Sequence, residues 1–152
     1  MQKPTIIKIQ NLSKVYVEKE AKINTMALEN INLDIEEGGF VAIAGPSGSG
    51  KTTLLNIIGA LDKPTSGEVY VENTPLSSLS AEKLSELRLR KIGFIFQAYN
   101  LIPTLTAIEN AEYVSLLQGT KKEDRKIEAL TALRDLGLQK LENRKPTELS
   151  AG

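Results

Sequence analysis

Phe40-Val41-Ala42-Ile43-Ala44-Gly45-Pro46-Ser47-Gly48-Ser49-Gly50-Lys51-Thr52-Thr53-Leu54-Leu55-Asn56-Ile57-Ile58-Gly59 is the stretch whose reading decides the fold. It opens with a continuous apolar run, crosses a glycine-rich turn and continues with Leu54, Leu55, Ile57, Ile58 and Leu61 at helical spacing. A run without alternation, closed by Gly45-Pro46, reads as a strand covered on both faces, as in a parallel sheet. The turn satisfies G-x-x-x-x-G-K-[ST], a pattern that carries meaning when a strand precedes it and a helix follows. Without a Cβ at Gly45, Gly48 and Gly50, consecutive amides can converge on polyphosphate oxygens at the amino end of the next helix, whose dipole favours the same negative charge. Lys51 is expected to reach the β and γ phosphates as a point charge, and the Thr52 hydroxyl to coordinate a Mg2+ that bridges them. Gly45, Pro46, Ser47, Gly48, Ser49, Gly50, Lys51, Thr52 and Thr53 are the expected nucleotide-binding positions, with ATP and Mg2+ as cofactors.

Working outward, Ile6, Ile7 and Ile9 mark a strand upstream. A second is marked by Ile31, Leu33 and Ile35 alternating with Asn32, Asp34 and Glu36, which gives it one solvated face. Downstream, Pro64, Ser66 and Gly67 end the helix and lead into a short strand at Val69 to Val71. Ser80 can cap a helix through Leu84 and Leu87, and Ile92 to Phe96 reads as another compact apolar strand. Thr106-x-x-Glu109 and Thr120-x-x-Glu123 both fit the capping box, so two helices are expected to start there. The second carries Ile127, Leu130 and Leu133 on one stripe and should stop near Gly137. The expected layout is a strand-rich nucleotide-binding lobe over residues 1–97 and a helical subdomain over residues 98–152, together one domain.

The 152 residues are 41% hydrophobic and 25% charged, the makeup of a globular domain. Nineteen basic and nineteen acidic residues cancel, so no broad electrostatic surface for nucleic acid or anionic lipid is implied. Arg88, Arg90 and Lys91 lie near Glu82 and Glu86 and read as a solvated helix face, with no nucleic-acid partner. The chain has no cysteine and no histidine, which removes thiolate chemistry, the commonest general base and the commonest transition-metal ligand. No apolar run approaches the roughly 20 residues that span a bilayer, and the amino terminus has no signal-peptide core, so membrane contact is expected only through a partner.

Leu12-Ser13-Lys14-Val15-Tyr16, Ala27-Leu28-Glu29-Asn30-Ile31-Asn32-Leu33 and the P-loop running into Gly59 carry a more specific pattern. It extends through Leu61-Asp62-Lys63-Pro64-Thr65-Ser66-Gly67-Glu68-Val69, Ile92-Gly93-Phe94-Ile95-Phe96-Gln97 and Asn100 to Asn110. Across nearly its whole length the chain resembles ATP-binding subunits of ABC transporters, in particular the group that includes macrolide exporters and the lipoprotein-release machinery. That resemblance implies an α/β P-loop NTPase fold: an ABC-type ATPase domain with an antiparallel β lobe and a helical subdomain. It makes Tyr16 the aromatic on which adenine stacks, and Gln97 the glutamine whose amide reaches Mg2+ and the attacking water. Tyr99 to Leu105 would lie near the coupling helix of the membrane subunit. Ser150 and Gly152 would belong to the signature loop that clamps the γ phosphate of the opposite subunit in a head-to-tail dimer. The implied partners are a transmembrane permease subunit and a second ATP-binding subunit, on the cytoplasmic face of the cell membrane.

The resemblance also shows departures. Leu149-Ser150-Ala151-Gly152 places Ala151 where the family's first signature glycine stands, adding a methyl where backbone should approach phosphate. The family's later core strands, its strand ending in Asp and catalytic Glu, and its switch histidine have no counterpart in these 152 residues. Asp34 is no substitute, because it precedes the P-loop on an alternating strand. The sequence is therefore expected to be a truncated copy or partial record of a longer subunit, binding nucleotide without turnover and, with apolar sheet edges exposed, marginal in stability. A small-molecule P-loop kinase and an inactive fragment are the alternatives. A GTPase is disfavoured, because no Asn-Lys-x-Asp element is present to read guanine.

Overall fold

The computed structural model describes residues 3–18 and 23–149. Four strands form one antiparallel sheet in the order β2-β1-β3-β4: β1 (Thr5–Glu18), β2 (Ile23–Glu36), β3 (Ser66–Val71) and β4 (Thr74–Pro75). Helix α1 (Lys51–Ile58) packs on it, and α2 (Ala81–Lys91), α3 (Ala107–Leu117) and α4 (Lys122–Asp135) follow. The chain divides into two compact units, residues 1–88 and 89–152.

In the first unit the core is Ile9, Leu12, Leu28, Leu54, Ile57, Val69, Val71 and Leu76, with Leu84 and Leu87 of α2 packed against it. Ile9 and Leu12 are three residues apart, so a regular strand would point them to opposite faces. Both are buried because the ladder slips between them, at Asn11, which takes a left-handed conformation (φ 50°). Asn30 does the same on β2 (φ 47°), and side chains hold both irregularities: Asn11 N–H donates to Asn32 Oδ1 at 2.9 Å, and Asn30 N–H to Ser13 Oγ at 3.0 Å. Strand β3 then enters so close to this kink that a Cβ on Gly67 would lie 2.3 Å from the Asn11 carbonyl oxygen. The expected alternation of Ile31, Leu33 and Ile35 holds, with each of their polar neighbours exposed.

Two expected strands are not formed. Phe40 to Ala44 and Ile92 to Phe96 are irregular, and Phe40 (98% exposed) and Ile95 (102%) lie open to solvent. An apolar run becomes a strand only when neighbours take its amides and carbonyls, and no strand among the described residues pairs with either segment. Ile43 alone of the first run packs against the core. The helix after the P-loop stops at Ile58, leaving Leu61 in the following loop.

In the second unit the Thr106 capping box forms as read: Thr106 Oγ1 accepts the Glu109 amide and Glu109 accepts the Thr106 amide at 2.8 Å. The Thr106 amide, together with the Thr106 hydroxyl that donates to the same Glu109 oxygen at 2.8 Å, holds the Glu109 carboxyl below the ordinary carboxylate range. Thr120 does not cap α4. Lys121 occupies that position without a side-chain bond, and Glu123 and Asp124 meet the helix dipole directly. Of the expected α4 stripe only Leu133 is buried, together with Ala129, while Ile127 is 64% exposed. The Arg125–Glu112 pair at 2.9 Å joins α4 to α3. Asn110 organises the entry loop: its Nδ2 donates to the carbonyls of Ile102, Leu105 and Thr106, and its Oδ1 accepts the Ile102 amide at 2.8 Å. Asn110→Ala removes the side-chain partner of the Ile102 amide and the Leu105 carbonyl, while the Ile102 and Thr106 carbonyls keep the amides of Leu105 and Asn110, and should cost about 2 kcal/mol. Hydrogen exchange should show the Ile102 amide, in the loop before α3, losing protection before the amides of the helix; unchanged exchange there would contradict this account.

Candidate active site

The P-loop is built on one close approach. Gly50, the N-cap of α1, lies in the left-handed region (φ 85°), and a Cβ there would sit 2.3 Å from the Ala27 carbonyl oxygen and 2.9 Å from Leu28 Cδ2. The loop backbone therefore rests directly on β2. No side chain caps the start of α1 and no acidic residue stands in its first turn, so the first helical amides keep their donors for an external anion. The Lys51 ammonium curls back over the loop, donating to Gly45 O at 2.9 Å, Pro46 O at 2.7 Å and, more weakly, Ser49 Oγ at 3.4 Å. Thr52 is exposed in the first turn, beside Thr53. A cradle of uncapped amides, an ammonium and a hydroxyl fits a polyphosphate with a divalent cation. A cleft of about 410 Å3 lined by Ala60, Asp62, Pro64, Glu68, Leu76 and Leu84 contains no P-loop residue. Phosphates held by loop amides need no such depression.

The same register places Tyr16. Its backbone pairs with Thr25, two residues from Ala27, where Gly50 rests. At about 3.3 Å per residue and 4.8 Å between strands, Tyr16 is on the order of 10 Å from the loop, within reach of a base attached to bound phosphates. The residue is 43% exposed. Its hydroxyl donates to Asp62 Oδ2 at 2.8 Å, and the Lys14 ammonium, 4.7 Å from the ring centroid, donates to Asp62 Oδ1 at 2.7 Å and to the Lys63 carbonyl. Nothing in residue spacing announced Asp62, because the strand that carries Tyr16 and the loop that carries Asp62 are 46 residues apart. Gln97 lies in an exposed bend of the second unit, and Ser150 and Gly152 lie outside the described residues.

The model of a family described as ABC transporter matches residues 28–152. The chain belongs to the ABC transporter family. It is 48% identical over 151 residues to the ABC transporter ATP-binding protein MJ0796 of Methanocaldococcus jannaschii, covering 97% of this chain and 63% of that protein. It is 45% identical over 147 residues to the macrolide export ATP-binding/permease protein MacB of Mannheimia succiniciproducens, covering 97% of this chain and 23% of that protein. The solved dimeric post-hydrolysis state of the MJ0796 cassette, bound to ADP and Pi, superposes with a TM-score of 0.87 at 47% identity, over 95% of this chain and 63% of that one. The chain thus spans less than two thirds of these ABC relatives. Among the described residues no helix is long and apolar enough to cross a membrane.

Burial alone would raise the Asp62 pKa, but the hydrogen bonds from Lys14, Tyr16 and the Lys63 amide, with the Lys14 charge, hold it below the ordinary aspartate value. A carboxylate depressed on folding stabilises the fold above its unfolded pKa and loses that contribution as pH falls through the lowered value. Asp62→Asn should therefore lower the denaturation midpoint near about pH 7, and the two proteins should converge as pH falls below the ordinary aspartate range. A gap that stays constant across that range would show that the charge contributes nothing.

Proposed function

We propose that this chain is the ATP-binding part of an ABC transporter subunit, in which MgATP binding and hydrolysis drive a membrane permease partner. The observation that carries this reading is the Gly50 backbone seated on the Ala27 carbonyl, with the uncapped start of α1 and the Lys51 ammonium beside it. Backbone N–H groups of the segment Gly45 to Thr53, Pro46 having none to give, would hold the phosphates, Lys51 would neutralise the β and γ oxygens, and the Thr52 hydroxyl would hold Mg2+. Bound Mg2+ would supply charge stabilisation for phosphoryl transfer to water, and Gln97 would bring its amide to the metal and that water. Tyr16 would present a ring face to adenine. The ADP and Pi in the dimeric MJ0796 structure support both the nucleotide and a second ATP-binding subunit, and the permease in the name of MacB supports a membrane partner.

In the assembled transporter the protein would lie on the cytoplasmic face of the membrane, residues 1–97 forming the nucleotide-binding lobe and 98–152 the helical subdomain. Ser150 and Gly152 would face the γ phosphate held by the opposite subunit of a head-to-tail dimer. Taken by themselves, the 152 residues hold no carboxylate matched to the family's catalytic Glu, and we propose that they bind nucleotide without turnover.

Removing the Lys51 cation should weaken ATP binding about 10- to 100-fold, the value of one or two charge-assisted phosphate contacts. Calorimetric titration of Lys51→Ala with MgATP checks this, and unchanged affinity would remove Lys51 from the site.

A further inference from the structure

Three sets of bonds link the phosphate end of the site to Tyr16. Helix α1 begins in the P-loop, and at its far end the Asn56 carbonyl accepts the amides of Leu61 (2.8 Å) and Asp62 (3.2 Å), which folds the following loop back. That loop is stapled to β1: Thr65 N–H donates to Ser13 O at 2.9 Å, and Val15 N–H to Thr65 Oγ1 at 3.0 Å. The loop then presents the Asp62 carboxylate, whose two oxygens divide between Tyr16 and Lys14, while its Oδ1 also accepts the Lys63 amide at 2.7 Å.

The arrangement leaves the ring little freedom. Lys14 is nearly buried, 12% exposed, and cannot move away without abandoning both Asp62 and the Lys63 carbonyl. Its ammonium covers one face of Tyr16. Because that face is taken, a flat ligand can stack only on the opposite one. The phenolic hydroxyl, fixed by Asp62, stops the ring from swinging about its own side-chain torsions. Pure packing would require neither the charged pair nor the hydroxyl; a Phe on an aliphatic patch would serve.

We infer that Asp62 and Lys14 are positioning residues that hold the Tyr16 ring with one face covered, so that its other face meets the base of the bound nucleotide at a set distance from the P-loop. This rests on the stacking role proposed above for Tyr16. The α1 helix and the loop after it act as the spacer: phosphates are held at the start of the helix and the base platform is fixed from its end.

The test compares affinities for MgATP and for magnesium tripolyphosphate, which lacks the nucleoside, in the native-length protein. A stacked base contributes roughly 1–3 kcal/mol, so Tyr16→Ala should lower the ATP-over-tripolyphosphate preference about 10-fold. Tyr16→Phe keeps the ring and loses only the tether, and should lower the preference about 3-fold, as should Asp62→Ala; Asp62→Asn, which keeps an acceptor, should recover part of the loss. If Tyr16→Ala leaves the preference unchanged, the stacking role falls, and this inference with it. If Tyr16→Ala lowers it while Tyr16→Phe and Asp62→Ala do not, stacking stands and the positioning role is overturned. Equal losses of ATP and tripolyphosphate affinity in Asp62→Ala would likewise mean a general structural effect and overturn it. Should Asp62→Ala fail to fold, Tyr16→Phe decides alone.

Discussion

The seat of Gly50 on the Ala27 carbonyl oxygen is the contact from which the first unit is set out. With 2.3 Å between that oxygen and any Cβ at position 50, the loop backbone can approach β2 only if the residue has no side chain. The approach fixes the first residue of α1 in space, and at 100° per residue this fixes which side chains turn inward. Leu54 and Ile57 go under the sheet, whereas Leu55 is 54% exposed. The same contact leaves the helix start without a side-chain cap. The packing that closes the core and the donors that await an anion are therefore two consequences of one backbone placement.

The strands that bring Tyr16 near the P-loop are irregular. Asn11 and Asn30 each take a left-handed conformation, and the slips they introduce let Ile9 and Leu12 share a face. Beyond the kink, β1 continues as Lys14-Val15-Tyr16 along β2 and beside the loop that follows α1. A strictly regular β1 would send either Leu12 or Ile9 to solvent. The core and the strand segment that carries Tyr16 thus depend on the same pair of distortions, held by the Asn32 and Ser13 side chains.

What was legible in the sequence is what depends on near neighbours. The P-loop, the alternation of β2, the Ser80 start of α2, whose Oγ accepts the Lys83 amide, and the Thr106 capping box all follow from residues within a few positions of each other. What was misread depends on partners elsewhere. Phe40 to Ala44 and Ile92 to Phe96 have the composition of buried strands, but composition supplies no hydrogen-bonding neighbour. Thr120 has the right spacing to Glu123, yet its amide is drawn to Ser115 O at 3.0 Å at the end of α3, and α4 starts one residue later. The α4 stripe was read from periodicity, which finds a face and not what covers it: Ala129 and Leu133 are covered, Ile127 is not. Asp62 and Lys14 were hidden because a charge that works through a residue 46 or 48 positions away leaves no local trace.

The Lys51 ammonium changes how phosphate affinity should be apportioned. Its donors are already engaged with the Gly45 and Pro46 carbonyls and with Ser49 Oγ, so a phosphate that takes them exchanges one set of oxygens for another. The gain is the difference between an ion–dipole and an ion–ion bond, which is smaller than the bond itself. The amides at the start of α1 differ in that no side chain caps them, so a phosphate would displace water from them and not a protein side chain. Backbone and lysine consequently contribute in different ways. In the proposed site the amides would define where the phosphate sits, and the lysine would have to release the Gly45 and Pro46 carbonyls before it could turn to the anion.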